Sequence, residues 1–121
     1  MTDKDNIVIN IAKDFSRVPA GRYRADGKFS AVNFRSDFLV PKLLEAEASN
    51  TRLQVVLDGV LGYSSSFLEE AFGGLVRESR LTPEIIYQRL MIVANSSAYE
   101  AAKIDALKYI EAAVRQRRQT H

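Results

Sequence analysis

The 121-residue chain contains no cysteine and no tryptophan, and its single histidine is the last residue, His121. The absence of cysteine excludes disulfides, thiolate zinc sites and cysteine nucleophiles. A histidine at the chain end cannot be held as a buried general base, which disfavours chemistry of the serine–histidine–aspartate type. We therefore expect no metal site, no cofactor and no enzymatic activity.

Long apolar segments and a broad basic face are also missing. No apolar run approaches the roughly 20 residues that cross a bilayer, and the polar stretch Met1–Asn6 has no signal-peptide core. The net charge is only +2, and much of the excess lies at Arg115, Arg117 and Arg118. We expect a soluble cytoplasmic protein that does not bind membranes and for which nucleic acid is disfavoured as a partner.

The composition is that of an ordinary globular domain. Hydrophobic residues make up 46% of the chain and charged residues 26%. This length suits one hydrophobic core, so we predict a single domain over residues 1–121, with frayed ends at about 1–5 and 117–121. Strand and helix patterns alternate along the chain, which predicts an α/β fold with a mixed or mostly parallel sheet of about four strands and packed helices.

Three segments have strand character: residues 7–12, 53–58 and 89–93. The second is nearly all apolar, which predicts a central strand covered on both faces. Between the first two strands, residues 13–30 are polar and rich in turn formers. Asp26-Gly27 within them predicts a short hairpin or an ordered loop.

Helical periodicity follows each of these segments. A first helix should begin at Ser30 or Asn33, kink or restart near Val40 because of Pro41, and end at Ser49-Asn50. A second should run from the serines at 64–66 to about residue 80. Gly73-Gly74 inside it costs roughly 1 kcal/mol per glycine against alanine, which predicts close packing there. A short helical turn should follow Thr82-Pro83-Glu84. The last helix, 98–117, has an apolar stripe of Ile104, Leu107, Ile110 and Val114.

The serine run Ser64, Ser65 and Ser66 is the first candidate site. It lies at the start of a predicted helix, where free N–H groups and the helix dipole favour an anion. A phosphate added there would bring about −1.5 to −2 charges. Helix capping by serine explains the same residues without any signalling role, and the two roles are compatible. An alternative function is binding of a nucleotide or small anion at the Ser64–Phe67 helix start.

The second candidate site is the loop that holds Arg22, Tyr23 and Asp26. Arginine there could hold a phosphate or an acidic side chain, because its guanidinium donates in a bidentate manner. A solvated hairpin explains the same residues. Arg35 follows the same logic, with Asp37, Glu69 and Glu70 as alternative ion-pair partners.

Two aromatic residues near the serines, Tyr63 and Phe67, complete the candidate partner-binding set. Core packing is the simpler explanation for aromatic residues at helical spacing. An exposed Phe67 would instead be a strong anchor for a partner protein.

The segment Val60–Leu68 resembles the STAS family, which includes bacterial anti-sigma-factor antagonists. Ser64 occupies the place of that family's aspartate, Ser65 and Ser66 those of its two serines, and Phe67 that of its glycine. A closer resemblance is to a bacterial STAS-like family of unknown function and covers roughly residues 7–110. The matching segments are Gly21-Arg22-Tyr23, Asp26-Gly27, Phe34-Arg35 and Ser65–Leu75.

This resemblance implies a STAS-like fold and a regulatory protein-interaction module. By likeness to the antagonists, it implies phosphorylation of the first serine, here Ser65. The implied partner is a protein, namely a kinase with a histidine-kinase-like ATPase fold. The oligomeric state stays open.

Overall fold

A computed structural model describes residues 6–119 of the chain. Its sheet has three parallel strands in the order β1 (Ile7–Asn10), β2 (Leu53–Val56) and β3 (Leu90–Val93). Parallel neighbours require long crossover connections, and the helical segments of the chain supply them. β2 is the central strand, as predicted, whereas the described residues contain three strands instead of about four.

Within the same residues, six α-helices accompany the sheet. They are α1 (Ala31–Phe34), α2 (Val40–Ser49), α3 (Ser65–Leu68), α4 (Gly74–Glu78), α5 (Pro83–Arg89) and α6 (Glu100–Gln119). Single π-helical segments join α1 to α2 and α3 to α4, at Arg35–Leu39 and Glu69–Gly73. Residues 1–5 and 120–121, which belong to the predicted frayed ends, lie outside the described residues. No helix of residues 6–119 combines the length and apolar character of a membrane span.

The first long helix has the predicted limits. Ser30 caps its start, because its Oγ accepts a hydrogen bond from the Asn33 N–H at 3.3 Å. Asn50 ends it in the left-handed conformation, with φ 57°. The α-helical pattern restarts at Val40, after a π segment in which the Val40 N–H bonds to the Arg35 carbonyl. This wider turn precedes Pro41, which lacks an N–H donor and crowds a regular turn.

Residues 24–26 form a 3-10 turn, so of the two predicted alternatives, a short hairpin and an ordered loop, the structure has the loop. The Asp26 carboxylate accepts hydrogen bonds from the N–H groups of Arg22 (3.0 Å) and Tyr23 (2.9 Å). These local bonds to a side chain hold the turn, and a backbone bond from the Ala20 N–H to the Phe29 carbonyl at 3.0 Å closes the loop. Strand pairing of the first strand likewise stops at Asn10, and the chain continues as a π turn, Ile11–Phe15.

The sheet has one well-covered face. Side chains on this face pack into the hydrophobic core and include Ile9, Leu53, Val55 and Ile92. On the opposite face Val8 is 53% exposed, and its neighbour on β2, Gln54, is half-buried. Full coverage of both faces of the central strand was therefore a wrong prediction, because alternate residues of β2 are only partly buried.

The buried stripe of α6 differs from the predicted one. Ile110 and Val114 are buried as predicted, but Ile104 and Leu107 are nearly half exposed. Ala106 and Ala113 occupy the buried positions instead. Alanines allow α6 to approach the Glu69–Gly73 segment and α4 closely, whereas larger side chains would hold these helices apart.

Candidate functional site

The serine run lies at the carboxyl end of the central strand, at the start of α3. Ser64 caps this helix: its Oγ accepts a hydrogen bond from the Phe67 N–H at 3.1 Å. Its Oγ also lies 3.3 Å from the Ser66 Oγ. Ser65 is exposed, and its hydroxyl bonds to no other group of residues 6–119. The capping role is confirmed for Ser64, whereas modification of Ser65 stays a prediction.

Phe67 is not a docking anchor, because it is fully buried. Its ring lies among those of Phe15, Phe34 and Tyr63, at centroid distances of 6.4, 6.1 and 6.3 Å. The helix turns this side chain inward, where it fills the aromatic part of the core. The prediction that Phe67 contacts a partner is therefore wrong.

Two tyrosine hydroxyls hold the loop between β2 and α3 in place. Tyr63 donates to the carbonyl of Leu57 at 2.8 Å, and Tyr99 donates to the carbonyl of Val60 at 2.7 Å. Burial, with smaller contributions from Tyr99 and Asp58, raises the pKa of Tyr63 well above its usual range, so its hydroxyl stays protonated and can donate. The hydroxyl of the half-buried Tyr63 therefore has a structural role, and Tyr63 also lines a groove at the surface.

Asp58 fastens the same loop to the chain that leads into α6. Its two carboxylate oxygens accept hydrogen bonds from the N–H groups of Asn95 and Ser96, at 2.8 and 2.9 Å. Hydrogen bonds to a charged acceptor are stronger than neutral ones. The carboxyl ends of β2 and β3 are therefore fixed relative to each other.

Two large apolar side chains near the carboxyl edge of the sheet are exposed to solvent. Leu61 is 72% exposed and Val18 is 55% exposed. Their segments are joined, since the Leu61 N–H donates to the Arg17 carbonyl at 2.8 Å and the Arg17 Nε donates to the Gly59 carbonyl at 3.3 Å. Sequence reasoning missed both residues. An apolar residue between two loop glycines, as Leu61 is, was the signal that could have identified one of them.

A groove of about 330 Å³ lies beside Leu61, between the loop and the first turns of α6. It is lined by Leu61 and other aliphatic residues, by Tyr63 and Tyr99, by small residues and by Asp105. The small side chains are those of Gly62, Ala98, Ala101 and Ala102. This position fits the general rule that open α/β sheets bind their ligands beyond the carboxyl ends of the strands.

The predicted arginine site is an ion-pair cluster with a buried part, Arg35 and Glu70, and a partly exposed part that includes Arg22. Arg35 and Glu70 are both buried, and Arg35 Nη1 donates to the Glu70 Oε2 at 2.8 Å and to the Glu70 carbonyl at 2.7 Å. Arg22 Nη1 contacts Glu69 Oε1 at 2.6 Å and Glu70 Oε1 at 3.1 Å. Arg77 also binds Glu69. The hydrogen bonds from Arg77 and Arg22 lower the pKa of Glu69.

This cluster corrects one predicted partner contact, that of Arg35, because Arg35 is buried. Arg22 and Arg35 are held by carboxylates of their own chain, and Asp26 accepts from local backbone N–H groups. Tyr23 and Asp26 are exposed and Arg22 is partly exposed, so contact of this loop with a partner stays a prediction. Arg35 pairing with Glu70 was one of the alternatives left open by the sequence.

Gly73 and Gly74 lie against the same cluster. A Cβ at Gly74 would overlap Arg35 Nη1, and a Cβ at Gly73 would lie 2.8 Å from Glu69 Oε2 and 3.4 Å from the Tyr109 carbonyl. The predicted close packing is confirmed.

Among residues 6–119, no three acidic or histidine side chains lie close enough together to bind a metal ion.

A three-stranded parallel sheet with accompanying helices, one of which begins at a serine cap, defines an α/β fold. The profile of the family described as STAS-like domain of unknown function (DUF4325) matches residues 30–100. The chain belongs to this STAS-like family, as its resemblance implied. Searches of curated proteins and of solved structures gave no match.

Proposed function

We propose that this protein is a non-enzymatic regulatory module that binds a protein partner through the carboxyl edge of its sheet. The binding surface, called the carboxyl rim here, consists of Val18, Leu61, Ser64 and Ser65. The observation that carries the proposal is the 72% exposure of Leu61 on a loop held by tyrosine and aspartate hydrogen bonds. Val18, also exposed, lies on the segment that is hydrogen-bonded to this loop, and exposed apolar side chains grouped on one surface are typical of an interaction site.

Ser65 gives this surface a means of regulation. Its hydroxyl is exposed on the rim, four residues from Leu61, at the start of a helical segment. A phosphate there would be favoured by the helix dipole and would place about two negative charges beside the apolar contact. We propose that this modification changes partner binding. The resemblance to antagonists suggests a histidine-kinase-like ATPase as the partner.

The test is quantitative capture of partners from a lysate of the source organism. Wild-type protein, Leu61→Ser and the control Leu44→Ser serve as baits, since Leu44 is also exposed but lies on α2. We expect at least one protein to be retained by wild type and Leu44→Ser and lost with Leu61→Ser. Ser65→Glu should alter recovery of that protein by severalfold. The same proteins at the same level with all four baits would contradict the proposal.

Nucleotide or small-anion binding at Ser64–Phe67 stays the alternative. Ligands that bind only the folded state raise the melting temperature by mass action. Thermal unfolding with inorganic phosphate and with ATP therefore tests this alternative. A concentration-dependent rise with either, lost in Ser65→Pro but kept in Ser96→Ala, would favour it over a protein-binding rim.

A further inference from the structure

The groove beside Leu61 has a chemical character that the carboxyl rim lacks. Two tyrosine rings form part of its wall and meet edge-on, with centroids 6.5 Å apart and planes at 82°. Ala98, Ala101 and Ala102 also line it, and their small side chains leave space for an occupant. A volume of about 330 Å³ is at the lower end of typical ligand pockets and exceeds the size of one aliphatic side chain.

Asp105 adds a negative charge to a wall that otherwise consists of aliphatic residues, glycine and the two tyrosines. Its side chain is exposed, and its carboxylate takes part in no ion pair or hydrogen bond with other groups of residues 6–119. The neighbouring tyrosine hydroxyls are already committed to the carbonyls of Leu57 and Val60. The groove therefore offers apolar and aromatic surface together with a single carboxylate, which complements an occupant that is both apolar and cationic.

We infer that the groove receives an extended segment of a partner protein, with an aliphatic side chain against the tyrosines and alanines and an adjacent arginine or lysine at Asp105. Leu61 itself lines the groove, so the segment would continue from the carboxyl rim. This inference rests on the proposed function and specifies the chemistry of the partner.

A random decapeptide library displayed on phage provides the probe. Peptides are selected separately on wild-type protein and on Asp105→Asn, with Glu111→Gln as the matched control, because Glu111 is an exposed carboxylate of α6 that does not line the groove. We expect the wild type and Glu111→Gln to enrich an aliphatic residue within a few positions of arginine or lysine. Asp105→Asn should keep the aliphatic residue and lose the basic one.

A synthetic peptide from the wild-type selection then gives affinities. Replacing its arginine by neutral citrulline, or Asp105 by asparagine, should each weaken binding about two- to fivefold, the range for an exposed ion pair. The two changes together should weaken it no further. Ala101→Phe, which fills the groove from an exposed position, should abolish binding, whereas Ala112→Phe on the same helix should not.

Other outcomes overturn the inference. These are selection of no peptides, selection of peptides without basic residues, and unchanged binding to Ala101→Phe. The lysate experiment distinguishes this failure from that of the proposed function. If Leu61→Ser loses the partner while Ala101→Phe and Asp105→Asn retain it, the rim is a docking surface and the groove is not. If Leu61→Ser also retains every protein, both proposals are wrong.

Discussion

At the scale of single residues, the most constrained feature is the buried pair of Arg35 and Glu70. Each charge would be costly to bury alone, and each is stabilised by the other at 2.8 Å. Gly74 leaves the space that the Arg35 guanidinium occupies. The glycine pair, the arginine and the glutamate therefore act together to hold the first helix against the second.

Replacement of Gly74 by alanine should destabilise the protein although alanine is the better helix former. The new Cβ would displace Arg35 from Glu70, and breaking a buried pair costs about 3–5 kcal/mol against about 1 kcal/mol gained in helix propensity. Urea unfolding should show a net loss of about 2–4 kcal/mol. Gly62→Ala is the control, because a Cβ added at Gly62 would meet no other part of the chain within 4 Å, and it should change stability by less than about 0.5 kcal/mol.

Glu70→Gln should also lower the free energy of unfolding by about 3 kcal/mol or more, because Arg35 then remains buried without its counter-charge. Glu45→Gln removes an exposed carboxylate whose partner is Lys42, and its effect should stay within about 1 kcal/mol. Chemical denaturation of both variants measures the difference. Equal small effects would mean that the cluster contributes little to stability.

Sequence alone predicted part of this residue-scale result. Two glycines inside a helical pattern indicated a close approach, and Glu70 was among the possible partners of Arg35. The sequence could not show whether Arg35 binds a partner or is buried in an ion pair, because an arginine side chain is suited to both roles. Which role it has depends on how near residues 35 and 70 come in space.

At the scale of secondary structure elements, caps and breakers determined where helices begin and end. Ser30, Ser64 and Thr82 each accept a hydrogen bond from an N–H three residues ahead. The π segments were not predicted, since a widened turn leaves the side-chain pattern of a helix nearly unchanged. The starts of helices could thus be predicted from the sequence where a side chain caps the backbone.

Ser64→Ala should reduce stability by about 1 kcal/mol, because the Phe67 N–H loses its acceptor. Ser65→Ala should leave stability nearly unchanged, since the Ser65 hydroxyl bonds to nothing within residues 6–119. Thermal or urea unfolding of the two variants separates the capping serine from the exposed one. Equal losses would show that the cap is shared, and any effect of Ser65 on partner binding would then need correction for stability.

At the scale of the whole molecule, the two faces of the sheet differ in their surroundings. Val8 and Ile9 are adjacent on β1 but point to opposite faces, and they are 53% and 2% exposed. Val8→Thr should change the free energy of unfolding by less than about 0.5 kcal/mol. Ile9→Thr should cost about 2 kcal/mol or more, because it leaves a cavity and buries a hydroxyl. A large loss for Val8→Thr would mean that the second face is covered in solution.

The sequence by itself determined the class of fold, the central place of β2, the main helix limits and the serine cap. These follow from local patterns: apolar periodicity, capping side chains and turn residues act over a few neighbours in the chain. Only the tertiary structure decided that Phe67 and Arg35 are buried, that Leu61 is exposed and that Asp105 borders a groove. Burial depends on contacts between segments distant in sequence, so identical residue types become core or surface according to what packs against them.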